Sequence, residues 1–183
     1  MKRNYIKNFF GHLYTITHHR HLVIRHAFKV GIGFQGLFHD LSKYSFTEFF
    51  NGVKYYLGDK SPTLEERIET GMSKAWMHHK GRNKHHYEYW TDYDLTDLGY
   101  KPVKMPMKYL KEMFCDRLAA SKTYMKKNYT NSHPYEYFES KKTIERMHID
   151  TARILEDWLI MLKDKGEKET FKYIKKIKNN EKY

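Results

Sequence analysis

The sequence predicts an all-α protein. Apolar residues recur at three- and four-residue steps. Pro occurs only at 62, 102, 106 and 134, where helices should start or loops should run. No alternating apolar and polar stretch with a tight turn suggests a hairpin. The 183 residues suit one domain with a real core, and 40% hydrophobic and 16% aromatic content argues against disorder. We expect a helical domain over 1–165 and a basic helix or tail over 166–183.

The first helix should run from about Tyr5 to Val30, with Phe9, Leu13, Ile16, Val23 and Ala27 on its apolar face and Gly31 and Gly33 ending it. A short apolar segment, Phe34 to Leu41, carries His39 and Asp40. Three apolar residues before the pair suggest burial. Ser45 and Glu48 have capping-box spacing, so a helix should start there and reach Tyr56. Ser61-Pro62 opens another that should continue to His78 or His79 and stop at Gly81. Residues from Trp90 to Lys104 read as a loop. Pro106 opens a helix through Asp116 to about Lys126. Two more follow, Pro134 to Ile149 and Asp150 to Lys163, and then a weakly amphipathic stretch from Glu167 to Ile177. The lysines of that last part suggest a frayed, exposed end.

Charge and cysteine count narrow the setting. The net charge of +12 suits a phosphate-rich partner, but it also suits a merely well-solvated lysine surface. The single cysteine, Cys115, excludes an internal disulfide framework. No apolar run nears the ~20 residues needed to span a bilayer. The stretch Met1 to Phe10 lacks the apolar core and cleavage site of a signal peptide. A cytoplasmic protein with no membrane partner is the expectation.

Twelve histidines are many for this length, and they cluster: 18, 19, 21 and 26; then 39; then 78, 79, 85 and 86. Neutral imidazole is a common metal ligand. His39-Asp40 is the anchor, because a buried carboxylate needs a partner and a cation supplies one. The alternative is a helix-capping Asp. Lys43, three residues on, is close enough to reach a phosphate held there. Asp116 interrupts an apolar helix and is followed by Leu118-Ala119-Ala120, which permit close approach. Read alone, it could equally pair with an Arg or Lys. His19 and His26, seven residues apart, share one helix face, and spacing alone leaves both open as the first ligand.

Together these segments resemble the HD superfamily of metal-dependent phosphohydrolases. Its pattern is an early-helix His, a His-Asp pair followed by Lys, and a late-helix Asp. His39-Asp40-Leu41-Ser42-Lys43 matches the pair, with Ser42 where many members have Gly, and Cys115-Asp116-Arg117-Leu118 matches the late Asp. The chain is also similar to an uncharacterised bacterial and phage family with a placeholder name. That likeness runs through His39 to Lys43 with Glu48-Phe49, Ala75 to His79, Arg82 to Trp90, and Cys115-Asp116. It aligns His19-Arg20 with a His-Lys pair and so favours His19 over His26.

The resemblance implies an HD-like helical bundle holding one or two divalent ions (Mn, Fe, Co, Zn or Mg). The implied ligands are His19, His39, Asp40 and Asp116, with His79 and His86 serving a second ion. Asp40, Lys43 and Glu48 are the implied catalytic set, Asp40 between metal and water and Glu48 holding a ligand histidine. Lys43, His78, Arg82, Asn83, His85 and Arg117 are candidates for binding substrate. The expected activity is hydrolysis of a phosphate ester such as a nucleotide. A di-iron oxygenase on the same fold and a non-catalytic nucleotide- or nucleic-acid-binding module are the alternatives, and self-association stays open.

Overall fold

The computed structural model describes residues 4–183, so the start of the 1–165 range and of the Met1 to Phe10 stretch lies outside the described residues. The all-α expectation holds: helices α1 to α8 form one helical domain, with a single two-stranded hairpin. Helix α1 spans Tyr5–Lys29. Asn4 caps its start by accepting from the Lys7 N–H, and Gly31, with φ 82°, turns the chain at its end. Helix α2 is a single turn, Gly33–Gly36. Its Gly36 lies so near α1 that a Cβ there would sit 2.4 Å from Ala27 Cβ.

The main core lies between α1, α6 (Met107–Met125) and α8 (Ile149–Lys176). Val23, Ala27, Leu110, Phe114, Leu118, Leu155, Leu159 and Leu162 meet there. A smaller core of Ile16, Phe49 and Val53 joins α1 to α3 (Phe46–Tyr55), which Ser45 caps as its spacing predicts. Helix α7, His133–Ser140, closes one side and is shorter than expected.

Several expectations need correction. The long helix from Pro62 is two helices, α4 (Pro62–Thr70) and α5 (Lys74–Lys80). Gly71, with φ 80°, stops the first, because left-handed backbone is open to Gly at little cost. Ser73 then accepts from the Trp76 N–H and starts the second. The loop from Trp90 contains an antiparallel hairpin, β1 (Thr91–Tyr93) with β2 (Tyr100–Pro102), pairing Thr91 with Pro102. Its strands are too short and too exposed to leave an alternating pattern.

The C-terminal part is not frayed. Helix α8 continues past Lys163 and bends at Gly166 (φ 76°, ψ 174°), and Thr170, Phe171 and Ile174 are buried beyond the bend. Buried Lys111 donates to the carbonyls of Val30 and Ile177, the caps of α1 and α8, so one ammonium satisfies two helix C-termini.

Candidate metal centre

The apolar run around His39-Asp40 does not bury itself. Phe34 is 77% exposed and Phe38 58%, whereas His39 and Asp40 are 2% exposed. The turn after α2 sends the two polar side chains inward and the apolar ones out. Asp40 has φ 54°, a left-handed conformation that Asp tolerates better than most residues. Arg20 ties the turn to α1 by donating to the carbonyls of His39 and Leu37.

His39, Asp40, His19 of α1 and Asp116 of α6 converge. Their ligand atoms lie within 4.8 Å of one another. His19 Nε2 is 2.9 Å from Asp116 Oδ1, and His39 Nε2 is 3.2 Å from Asp40 Oδ2 and 3.5 Å from Asp116 Oδ1. A second group, Asp40, His79, His85 and His86, meets the same 4.8 Å limit. Asp40 belongs to both groups and divides its oxygens between them. Oδ2 faces His39 and, at 3.9 Å, His19. Oδ1 faces His79 at 3.3 Å and His85 at 3.5 Å.

The outer nitrogens of the same imidazoles are held by carboxylates. His39 Nδ1 lies 2.9 Å and His85 Nδ1 3.3 Å from Glu112 Oε1; His79 Nδ1 lies 2.7 Å from Glu48 Oε2. An Nδ1–H donated outward leaves the Nε2 lone pair pointing inward, the arrangement that orients metal-bound histidines. Inside, His19 Nε2, His39 Nε2, His85 Nε2 and both Asp40 oxygens are buried without an aligned hydrogen-bond partner. Unsatisfied buried polar atoms are costly, and four of these, Asp40 Oδ2 being reached by Lys43, face common points where a guest would satisfy them. Lone pairs and carboxylate oxygens call for a cation, and the donor set therefore fits divalent metal.

Electrostatics agrees. Asp40, Asp116, Glu112 and Glu48 crowd here, and the lysine paired with them is Lys43, 2.6 Å from Asp40 Oδ2. Burial would raise the Asp40 carboxyl, but His39 and Lys43 hold it well below the usual range. Asp116 is likewise held down against burial by His19 and His39, and Glu112 falls to about 2 beside His39 and His85. Burial would lower His39, yet Asp40, Asp116 and Glu112 raise it well above an ordinary histidine. The same negative field favours any cation among these atoms.

The structure brings all six expected ligands, His19, His39, Asp40, His79, His86 and Asp116, into the two groups. It puts His26 elsewhere, against the Phe171 ring with Nδ1 3.5 Å from the Cys115 carbonyl. His85, assigned to substrate, stands among the ligand atoms instead, because the turn after Gly81 folds 83–86 back over α5. Asn83 holds that turn by donating to Ser42 Oγ and the His79 carbonyl. Glu48, expected in the catalytic set and as the holder of a ligand histidine, directs its oxygens to His78 and His79. Lys43 points at Asp40 rather than outward. Arg82 is exposed and donates to the His78 carbonyl, away from the ligand groups. Arg117 lies beside the Tyr137 and Phe138 rings with Nε and Nη1 buried and unpartnered.

Glu112 was not among the expected residues. Its signal is the four-residue step to Asp116, which puts two acids on one face of a largely apolar helix.

Residues 8–161 match a family described as one of unknown function (DUF5662). The chain belongs to that family. The match runs from within α1 to the first half of α8 and so includes every residue of both ligand groups. No curated protein and no solved structure matches the chain. For this DUF5662 chain the chemistry therefore has to be argued from the site itself. Among the described residues no helix is long and apolar enough to cross a membrane.

Proposed function

We propose that this protein is a metal-dependent phosphohydrolase of the HD kind that cleaves a phosphate ester such as a nucleotide. The observation that carries the reading is Asp40, one carboxylate shared by two adjoining sets of histidine and carboxylate ligand atoms. His19, His39, Asp40 and Asp116 would hold one divalent ion, and Asp40, His79, His85 and His86 a second. Paired divalent ions supply Lewis-acid polarisation of a phosphoryl group and a lower pKa for water.

The chain's own residues complete the site. Glu112 and Glu48 fix which imidazole nitrogen faces inward. Lys43 offsets part of the Asp40 charge, which keeps the site from repelling an anionic substrate. Neutralising substrate phosphate would fall to Arg117, which follows Asp116, only once its buried guanidinium leaves the Tyr137 and Phe138 rings.

The test is elemental analysis of protein purified without chelator or histidine tag, followed by assay on a panel of phosphate esters with Mn, Fe, Co, Zn or Mg. The expected outcome is bound metal and chelator-sensitive release of phosphate from at least one nucleotide or other monoester. Metal-dependent oxygen consumption without phosphate release would replace this reading with an oxygenase. Bound metal with neither activity would leave a binding module.

A further inference from the structure

The first half of α1 carries more apolar surface than its own fold uses. Phe9, Leu13 and Ile16 pack toward α3 and supply the smaller core. A second stripe, Ile6, Phe10 and Tyr14 at four-residue steps, points away from it and is 75%, 65% and 69% exposed. A helix apolar on both faces is normally a buried helix.

The stripe is continuous with α3. Tyr5, Ile6, Phe9, Phe10, Phe50 and Val53 line one groove, and Phe46, 83% exposed, lies against Phe50 with ring centroids 5.0 Å apart. Phe10 also joins Leu13 and Tyr14 in the adjoining depression. The exposed fractions of Tyr5, Ile6, Phe10, Tyr14, Phe46 and Phe50 correspond to roughly 800 Å² of side-chain surface, at the ~150–250 Å² such side chains bury when covered. A typical monomer's largest apolar patch is only about 300–600 Å². One partner's share of a standard protein interface is about 800 Å².

We propose that this α1–α3 face is a homodimer interface, with the Ile6–Phe10–Tyr14 stripe of one copy packing against that of a second copy across a twofold axis. Two features favour a second copy over an anionic partner. Across Tyr5–Tyr14 and Phe46–Val53, the segments that form this face, the only Lys or Arg is Lys7; Lys2 and Arg3 precede them in the chain, but the face itself offers little basic charge to draw nucleic acid or an anionic membrane. A nearly uncharged aromatic surface of this size also matches homodimer interfaces, which are more apolar than transient ones. The proposal is independent of the metal chemistry, and its test needs no activity.

Sedimentation equilibrium of the full chain at micromolar concentration should give twice the chain mass. Phe10→Glu should weaken association roughly thirtyfold or more, as loss of a central aromatic anchor does. Leu95→Glu, on the hairpin and 82% exposed, should leave the mass unchanged. Circular dichroism controls for folding, and because Phe10 is exposed, Phe10→Glu should stay helical. If Phe10→Glu does unfold, Tyr14→Glu takes its place. A wild-type monomer at all concentrations overturns the proposal. So does a dimer that Leu95→Glu breaks and Phe10→Glu spares. A monomer that binds phosphatidylserine vesicles or single-stranded RNA through Phe10 also overturns it and names the other occupant.

Discussion

Helix α1 buries three histidines at a seven-residue spacing, His12, His19 and His26, in neighbourhoods with opposite chemistry. His19 faces Asp116 and Asp40, in a cluster of acids and further histidines. His12 lies against the Phe49 and Tyr56 rings, close enough to α3 that a Cβ on Gly52 would fall 2.1 Å from its Nε2. His26 lies against Phe171. Two helical turns in either direction thus separate a candidate ligand from core packing. The helix places all three alike, and the elements packed against each one decide its role.

Removing the group that both ligand sets share should give the largest effect. Asp40→Ala should reduce bound metal to background by elemental analysis and abolish phosphate release, while circular dichroism still reports the helices. Full metal occupancy in Asp40→Ala would remove the distinction between the His19 neighbourhood and the other two.

The next comparison lies within α1. His19→Ala should weaken metal binding by about 10- to 100-fold or more, the range seen when even a residue supporting a ligand is lost. His26→Ala should leave metal affinity unchanged and cost about 2 kcal/mol or more of stability, because it opens a cavity in the main core. Metal titration and denaturant unfolding of both variants check this. Metal loss in His26→Ala with none in His19→Ala would reverse the assignment.

Much of this site was legible in the sequence, and what escaped has physical reasons. His39-Asp40, Lys43 and Asp116 stand out because charge within apolar segments needs a partner. The choice of His19 rested on a resemblance, since spacing cannot say what packs against a helix. Glu112 escaped because a Glu on a helix usually faces water, and only the fold shows that α6 is surrounded. The place of His85 among the ligand atoms is not readable from spacing, because the tight turn after Gly81 depends on Asn83 reaching Ser42, a contact across 41 residues. The helices were readable except where Gly71 and Ser73 divide one stretch in two. The exposed Phe34 and Phe38 teach the converse: apolar neighbours in sequence do not bury a site, for here the polar pair turns inward and the phenylalanines face out.

The smallest expected effect, taken per pH unit, is a pH dependence from the histidines outside the site. Burial lowers His26 from 6.5 to about 3 and His12 to about 4, with nearby lysine charge acting in the same direction. Well above pH 6.5 each is neutral whether folded or unfolded, and contributes no slope. Below 6.5 the unfolded chain takes up protons that the folded chain refuses, so stability falls with pH until the folded values are reached. One proton of difference is worth about 1.4 kcal/mol per pH unit. His26→Leu keeps the position apolar and removes one such proton. The variant should therefore gain about 1.4 kcal/mol on the wild type for each unit of acidification between pH 6 and pH 4, less near the ends. Both proteins keep the same ligand groups, so taking the difference of their unfolding free energies cancels the titration of the metal centre. Parallel curves would mean that His26 is protonated inside the fold, and its neighbourhood would then resemble that of His19 after all.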